Sequence, residues 1–182
     1  MAVVINGNGA VTGLTALPDS AMAEGSIIQI VQVVKTDKQS IQSQTPLDIA
    51  SFEATITPVS ASNKILIETT ITACCHASGV LNIWRQIGSN SYGQLTSYRG
   101  DADGNRERST MHIGQTQTAN TVTRSMIILD SPSTTSAVKY KWQAGTPYNA
   151  GYVMAINSSV EDSNSNYYPR TMSTMTLKEV AA

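Results

Sequence analysis

Residues Lys64 to Cys75 alternate without a break: Ile65, Ile67, Thr69, Ile71, Ala73 and Cys75 fall on one side of an extended chain, and Leu66, Glu68, Thr70, Thr72 and Cys74 on the other. Successive side chains of a strand leave on opposite faces, so this pattern fits a β-strand with one buried face, and the first set is the one expected to face the core. A strand of this kind must be paired at its edges and covered on its apolar side. The same period recurs in Phe52, Ala54 and Ile56 against Glu53, Thr55 and Thr57, and in Val138, Tyr140, Trp142 and Ala144 against Lys139, Lys141 and Gln143. Met175 and Leu177 begin the inward set of a closing strand that ends at Val180. Ile27 to Val34 is nearly continuous apolar sequence, broken by Gln29 and Gln32. In Gly79 to Ile87 both faces are mixed: Leu81 and Ile83 share theirs with Arg85 and Ile87, opposite Val80, Asn82, Trp84 and Gln86.

Pro58 to Asn63 reads as a turn, and so does Asp130 to Ser136, which joins the strand Val122–Leu129 to the strand at Val138 in what reads as the clearest hairpin of the chain. Gly88 to Thr121 is loop-rich, with short strands expected near Gln94–Arg99 and Arg106–Ile113; Tyr152–Ile156 is a further strand, and Asn157–Arg170 a long polar loop. About eight to ten strands at this spacing predict an all-β fold, an antiparallel sandwich of jelly-roll-like character. Residues 1–25 lie outside the pattern, which begins at Ser26. Gly, Ala, Thr, Asn and Ser dominate there after the short apolar run Val3-Val4-Ile5, with Val11, Leu14 and Leu17 isolated among them; Val3, Ile5, Val11, Leu14 and Leu17 are the apolar anchors of this stretch. This stretch reads as an extended N-terminal arm whose small residues allow close backbone approach and whose isolated apolar residues are attachment anchors; residues 26–182 form the sandwich.

Charged residues make up 14% of the chain and the formal net charge is −1, which leaves no basic face to neutralise a phosphate backbone and excludes nucleic acid as an expected partner. Apolar runs such as Met126–Leu129 are far shorter than the roughly 20 residues that cross a bilayer, so membrane insertion is not expected. The N-terminus lacks the charged and apolar regions of a secretory signal, and synthesis in a cytoplasm is the expectation. Cys74 and Cys75 are neighbours whose side chains point to opposite faces, a poor arrangement for a disulfide or a shared metal. His76 and His112 have no second ligand at zinc spacing and read as surface or capping residues. There is no G-x-S-x-G pattern for a nucleophile, and Asp101, Asp103, Glu161 and Asp162 stand in loops with no implied cleft for glycoside hydrolysis. The expectation is a non-enzymatic protein without cofactor or metal. Asp101 to Glu107, DADGNRE, has acids at alternating positions, but Gly104 follows Asp103 directly, which suits a polar turn better than a calcium loop.

Six of the tyrosines, Tyr92, Tyr98, Tyr148, Tyr152, Tyr167 and Tyr168, fall in or beside Gly-, Asn- and Ser-rich segments. Two roles fit such loop tyrosines: capping the sandwich or filling a subunit interface, and stacking and hydroxyl contacts with a sugar or protein receptor.

Four blocks carry a resemblance. ITPVSASNKILIE (residues 56–68), GDADGNRERST (100–110), LDSPSTTSAVKYKWQ (129–143) and YPRTMSTMTLKEV (168–180) resemble, in this order, a β-structured domain of virion proteins of tailed bacteriophages, notably tail-fibre proteins of phages that infect cyanobacteria and other aquatic bacteria. The chain departs from that pattern at Cys74, Cys75 and His76 and in the SVEDSNSNYY loop. The resemblance implies a β-sandwich assembled as a homotrimer, located in the virion and made in the host cytoplasm. It implies an N-terminal segment that attaches to other phage proteins of the tail, baseplate or capsid, and distal loops that meet a host surface glycan or protein. It also favours a Gly-Asp turn in which Asp101 pairs with Arg106 or Arg108, within the chain or across a trimer axis. The residues expected to meet a receptor or a neighbouring subunit are Tyr92, Tyr98, Asp101, Arg106, Arg108, Tyr148, Tyr167 and Tyr168. A short trimeric tail fibre is the function implied first, and a capsid decoration protein trimerised on the major capsid protein is the alternative.

Overall fold

The computed structural model describes residues 4–5, 11–12, 22–116 and 118–182. Thirteen strands are formed among the described residues: β1 Val4–Ile5, β2 Val11–Thr12, β3 Ile27–Lys35, β4 Gln39–Ile41, β5 Leu47–Ile56, β6 Lys64–Cys75, β7 Gly79–Ile87, β8 Gly93–Gln94, β9 Met111–Ile113, β10 Val122–Asp130, β11 Val138–Gly145, β12 Met154–Ile156 and β13 Ser173–Val180. Strands β3 to β13 make an all-β sandwich of two antiparallel sheets. In the first, β6 pairs with β10 along one side and with β13 and then β12 along the other, and β3 and β4 extend β13 and β12 outward. In the second, β11 lies between β5 and β7, and the far side of β7 takes β8 and β9. Among the described residues β1 and β2 pair with each other, Ile5 opposite Val11, in a separate small ladder. Of the other expected anchors, Val3, Leu14 and Leu17 lie outside the described residues.

The core is where the period-two reading places it. Ile65, Ile67, Ile71, Ala73 and Cys75 of β6 are buried, as are Val138, Tyr140, Trp142 and Ala144 of β11 on the facing sheet. Thr69, the one hydroxyl in the inward set of β6, accepts a hydrogen bond from the Trp142 indole N–H at 3.2 Å across the core. A buried polar group so paired avoids the penalty of an unsatisfied one. Cys74 and Cys75 are buried thiols rather than a disulfide. Burial raises the Cys75 pKa, and the Cys74 sulfur lies 3.2 Å from Thr116 Oγ1.

The expected hairpin across Asp130 to Ser136 does not form. β10 pairs with β6 in one sheet, whereas β11 pairs with β5 and β7 in the other, so this connection crosses the sandwich. The physical reason is that both sheets face one core: alternation says which side of a strand is buried but is silent about which sheet the strand joins. Residues 131–137 are also longer than a tight hairpin needs and easily span the roughly 10 Å between sheets. The same crossing occurs from β5 to β6, from β6 to β7 and from β11 to β12.

Two further features differ from the sequence pattern. β4 and the first half of β5 are strands that alternation did not mark. In β5 the buried residues Ile49 and Phe52 are three apart, because Ser51 adopts φ +56° and the ladder to β11 slips between Lys141 and Gln143. Such a bulge breaks the period at that point and resets it. Among its described residues the loop-rich centre holds β8, a single turn of 3-10 helix over Thr96–Tyr98, and β9.

At the end of β11, Gly145 is enclosed by the β4–β5 connection. A Cβ there would stand 3.0 Å from Pro46 Cα and 3.2 Å from the Ser43 carbonyl oxygen, both of them backbone atoms that cannot swing aside. Gly145→Ala is therefore expected to destabilise the fold by about 1–3 kcal/mol through overpacking, readable as a lower midpoint in urea at unchanged m-value.

Candidate functional site

The sandwich has two unlike ends. At one, the chain enters the first sheet: Gly25 N–H bonds the Ala181 carbonyl at 2.9 Å, Ala181 N–H bonds the Ser26 carbonyl at 2.9 Å, and the C-terminal residue lies against Asn63. Residues 22–26 therefore enter the first sheet here, beside the β5–β6 turn. The connections β6–β7 and β11–β12 lie at the opposite end, as their registers require: Met154 stands opposite Cys75 and Gly145 opposite Val80, whereas the β12–β13 loop leaves and rejoins the first sheet beside Thr72, where Asn157 N–H meets the Thr72 carbonyl and Ser173 Oγ accepts from Thr72 N–H.

A groove of about 300 Å³ opens at this far end between three segments: Ser78 and Val80 where β7 starts, Asn105 and Glu107 from the β8–β9 loop, and Pro147 and Tyr148 from the β11–β12 loop. Tyr148 is 74% exposed, yet its ring is not free to wander. It stacks on Tyr152 at 5.9 Å and 11°, and Tyr152 in turn leans on the His76 ring at 6.0 Å. His76 is fixed by the backbone of Val153, whose N–H donates to Nδ1 at 3.1 Å and whose carbonyl accepts from the His76 N–H at 3.1 Å. The loop carrying both tyrosines is tied at its base by buried Thr146. Its N–H reaches the Ser43 carbonyl, and its hydroxyl lies within hydrogen-bond reach of the carbonyl oxygens of Asn149 and Tyr152. Ser78 Oγ is 3.0 Å from His112 Nε2, which places both histidines at this end in bracing roles.

The facing wall is braced by arginines. The Arg99 guanidinium donates to the Arg108 carbonyl at 2.8 Å and to Gln94 Oε1 at 3.0 Å, and Arg108 Nε donates to the Gly100 carbonyl at 2.6 Å. Asp103 to Arg106 is a tight turn with Gly104 at φ +55°, closed by Arg106 N–H to the Asp103 carbonyl. The expected pairing of Asp101 within the chain is not the one made: Arg106 pairs with Asp103, and Arg108 is taken up by the Gly100 carbonyl. Asp103 is the nearer partner because the turn brings its carboxylate round onto the Arg106 side chain. Asp101 lies exposed.

The other tyrosines are dispersed. Tyr167 and Tyr168 meet edge to face at 5.1 Å in the long β12–β13 loop. A hydrogen bond to Glu161 raises the Tyr168 pKa. Tyr98 donates to the Leu129 carbonyl at 2.7 Å and packs against the core. Tyr92 lies on the outer face of the second sheet, donating to Glu53 beneath Lys141, whose Nζ is 4.0 Å from the ring centroid. Tyr92 and Tyr98 are thus held by the sandwich itself, away from the groove. The Gly-, Asn- and Ser-rich sequence around it marked Tyr148 as a loop tyrosine, but nothing local joins Ser78, Asn105, Glu107 and Pro147 to it, because three connections distant in sequence bring them together.

The same long loop is clamped by Asp162, which takes Arg170 and Lys38 together. These two cations, the Arg170 hydrogen bond foremost, lower its pKa from 3.8 to about 2. A carboxylate depressed in the folded state stabilises fully above its unfolded value and loses that contribution as pH falls toward its folded one. Following the Asp162 carboxyl by NMR should give a midpoint of about 2, with looser exchange of the 157–170 amides appearing only between about pH 4 and 2. A midpoint at the ordinary value would mean that the clamp is not formed.

No family model and no curated protein matches the chain. Among solved structures it is similar to the infectious bursal disease virus Gx strain structure, with a TM-score of 0.41, 12% identity, and coverage of 93% of this chain and 43% of that one. It is also similar to the infectious bursal disease virus VP2 subviral particle, with a TM-score of 0.36, 11% identity, and coverage of 85% and 37%. The Gt strain of the same virus gives 0.35, 14%, 85% and 37%. The chain spans about two fifths of the length of these solved chains.

Proposed function

We propose that this protein is a non-enzymatic structural component of a bacteriophage virion, a short trimeric tail fibre attached through residues 1–25 and meeting the host through the loops of the far end. The observation that carries this reading is the polarity of the sandwich: the arm joins at one end, and the preorganised tyrosine groove opens at the other. An attachment device needs this separation, since the end that docks on the particle must not be the end that meets the cell. The blocks at residues 56–68, 100–110, 129–143 and 168–180 add the resemblance to phage tail-fibre domains.

The first sheet offers a surface for self-association. Its outer face carries Ile30 and Val34 on β3 and Ile127 and Leu129 on β10, with Ile30 59% and Ile127 68% exposed. Between these two apolar edges the face is threonine-rich, and its charges cancel in the Lys178–Glu68 pair at 2.7 Å. Two different apolar edges on one neutral face suit a heterologous ring, in which the β10 edge of one copy meets the β3 edge of the next and three copies close. Removing residues 1–24 is expected to leave a folded trimer by light scattering that no longer enters particles. Loss of folding would show that the arm belongs to the core. Arm-less protein present in particles at the full-length level would refute attachment through it.

A further inference from the structure

We infer that the groove between Tyr148 and Glu107 is a binding site for a neutral saccharide ring; this rests on the reading of the far end as the host-facing one and names the ligand class. A volume of about 300 Å³ is at the lower limit of ligand pockets, which run from roughly 300 to 1,000 Å³, and suits a ligand of one or two rings rather than a peptide segment. Its chemistry is divided in the way a sugar is. Tyr148 and Pro147 supply an apolar, aromatic side for the C–H face of a pyranose. Asn105, Glu107 and Ser78 supply an amide, a carboxylate and a hydroxyl for ring hydroxyls.

Glu107 is nearly unspent: its nearest cation is Arg99 at 3.9 Å, beyond hydrogen-bond reach. That carboxylate argues against an anionic ligand, and so does the engagement of the neighbouring arginines, Arg106 with Asp103 and Arg108 with the Gly100 carbonyl. The aromatic platform is built before any ligand arrives. Tyr148 lies against Tyr152, Tyr152 leans on His76, and the loop between them is closed by Asn149 N–H to the Thr146 carbonyl and Tyr152 N–H to the Asn149 carbonyl. Side chains already ordered in this way lose little further freedom on binding, which is how a small site gains useful affinity. Several copies in one trimer multiply a weak single-site interaction.

The test is titration of the full chain with glucose, galactose, mannose, N-acetylglucosamine and their β-1,4-linked disaccharides, followed by saturation-transfer NMR, with glucose 6-phosphate as the charged probe. At least one neutral sugar is expected to saturate the site at millimolar concentration. Tyr148→Ala is expected to weaken it roughly tenfold, the size of a lost ring contact, and Glu107→Gln by a similar factor through the lost charge-assisted hydrogen bond. Tyr148→Phe should bind within about threefold of the parent, because the ring and not the hydroxyl makes the platform. Both side chains are exposed enough that unfolding is not the expected outcome, and an unchanged melting temperature verifies it for each variant. Saturation by no sugar, binding that Tyr148→Ala leaves intact, or tighter binding of glucose 6-phosphate than of glucose would each overturn the assignment. If no sugar binds while particles carrying Tyr148→Ala adsorb poorly to cells, the ligand class fails and the host-facing reading survives. If the parent protein binds sugar and Tyr148→Ala weakens that binding, but particles carrying Tyr148→Ala adsorb normally, the groove stands and that reading fails.

Discussion

Asp130→Ala is expected to destabilise the protein by about 3–5 kcal/mol, the effect of removing one partner from a buried ion pair, and to lower its melting temperature by roughly 6–20 °C for a domain of this size. Asp130 closes β10 in the first sheet, and its carboxylate reaches across to the second. Arg85 Nη1 on β7 donates to both oxygens at 2.9 and 2.7 Å, and the Tyr140 hydroxyl on β11 donates at 2.6 Å. The carboxylate is 6% exposed and the Arg85 side chain 25%. Truncation leaves a mostly buried arginine side chain without its carboxylate and a phenol fully buried without an acceptor, and both penalties fall where the chain crosses between sheets. Burial and the adjacent Asp130 raise the Tyr140 pKa far beyond its ordinary value, so Tyr140 acts here as a donor and never as an anion. Tyr140→Phe removes one donor while leaving the Arg85–Asp130 pair and should cost only about 0.5–1.5 kcal/mol. Thermal unfolding of both variants checks the contrast. Equal small losses would mean that the cluster does not tie the sheets.

Trp142→Ala should be comparable, about 3–5 kcal/mol, from loss of the largest fully buried side chain of the core. Part of that loss is the void and part is Thr69, whose hydroxyl would lose the indole N–H that meets it at 3.2 Å. The volume of the site cannot close by shifting one element, because β11 is hydrogen-bonded on both sides, to β5 and β7. Pairing Trp142→Ala with Thr69→Val separates the contributions: if the hydrogen bond matters, the double variant should lose less than the two single variants summed. Urea denaturation measures this directly. Exact additivity would confine the effect of Trp142 to packing.

The two clusters also mark what the sequence could and could not disclose. Alternation identified the inward faces of β6 and β11 residue by residue, because period two is a local property of one extended strand. Asp130 was legible only as the first residue of a turn, since nothing local tells a turn-opening aspartate from one that reaches a buried arginine on another sheet. Arg85 was the available clue: an arginine in line with Leu81 and Ile83 on a partly apolar face requires an acid across the core. The failed hairpin has the same origin, for residues 131–137 read alike whether they close a ladder or cross a sandwich. The bulge at Ser51 hid half of β5 by shifting the phase of the pattern. At the groove, Tyr148 was visible as a loop tyrosine, whereas Asn105, Glu107 and Ser78 became its neighbours only through the packing of three separate connections.

The outer face of the first sheet and the far-end groove both draw their meaning from where the protein sits. The direct measurement is electron microscopy of purified virions labelled with antibody fragments raised against the sandwich, residues 26–182. Label is expected at the tail, with the fragments bound distal to the point where residues 1–25 attach. Label spread over the shell would transfer the protein to capsid decoration, and intact virions carrying none of it would refute a structural role in the particle.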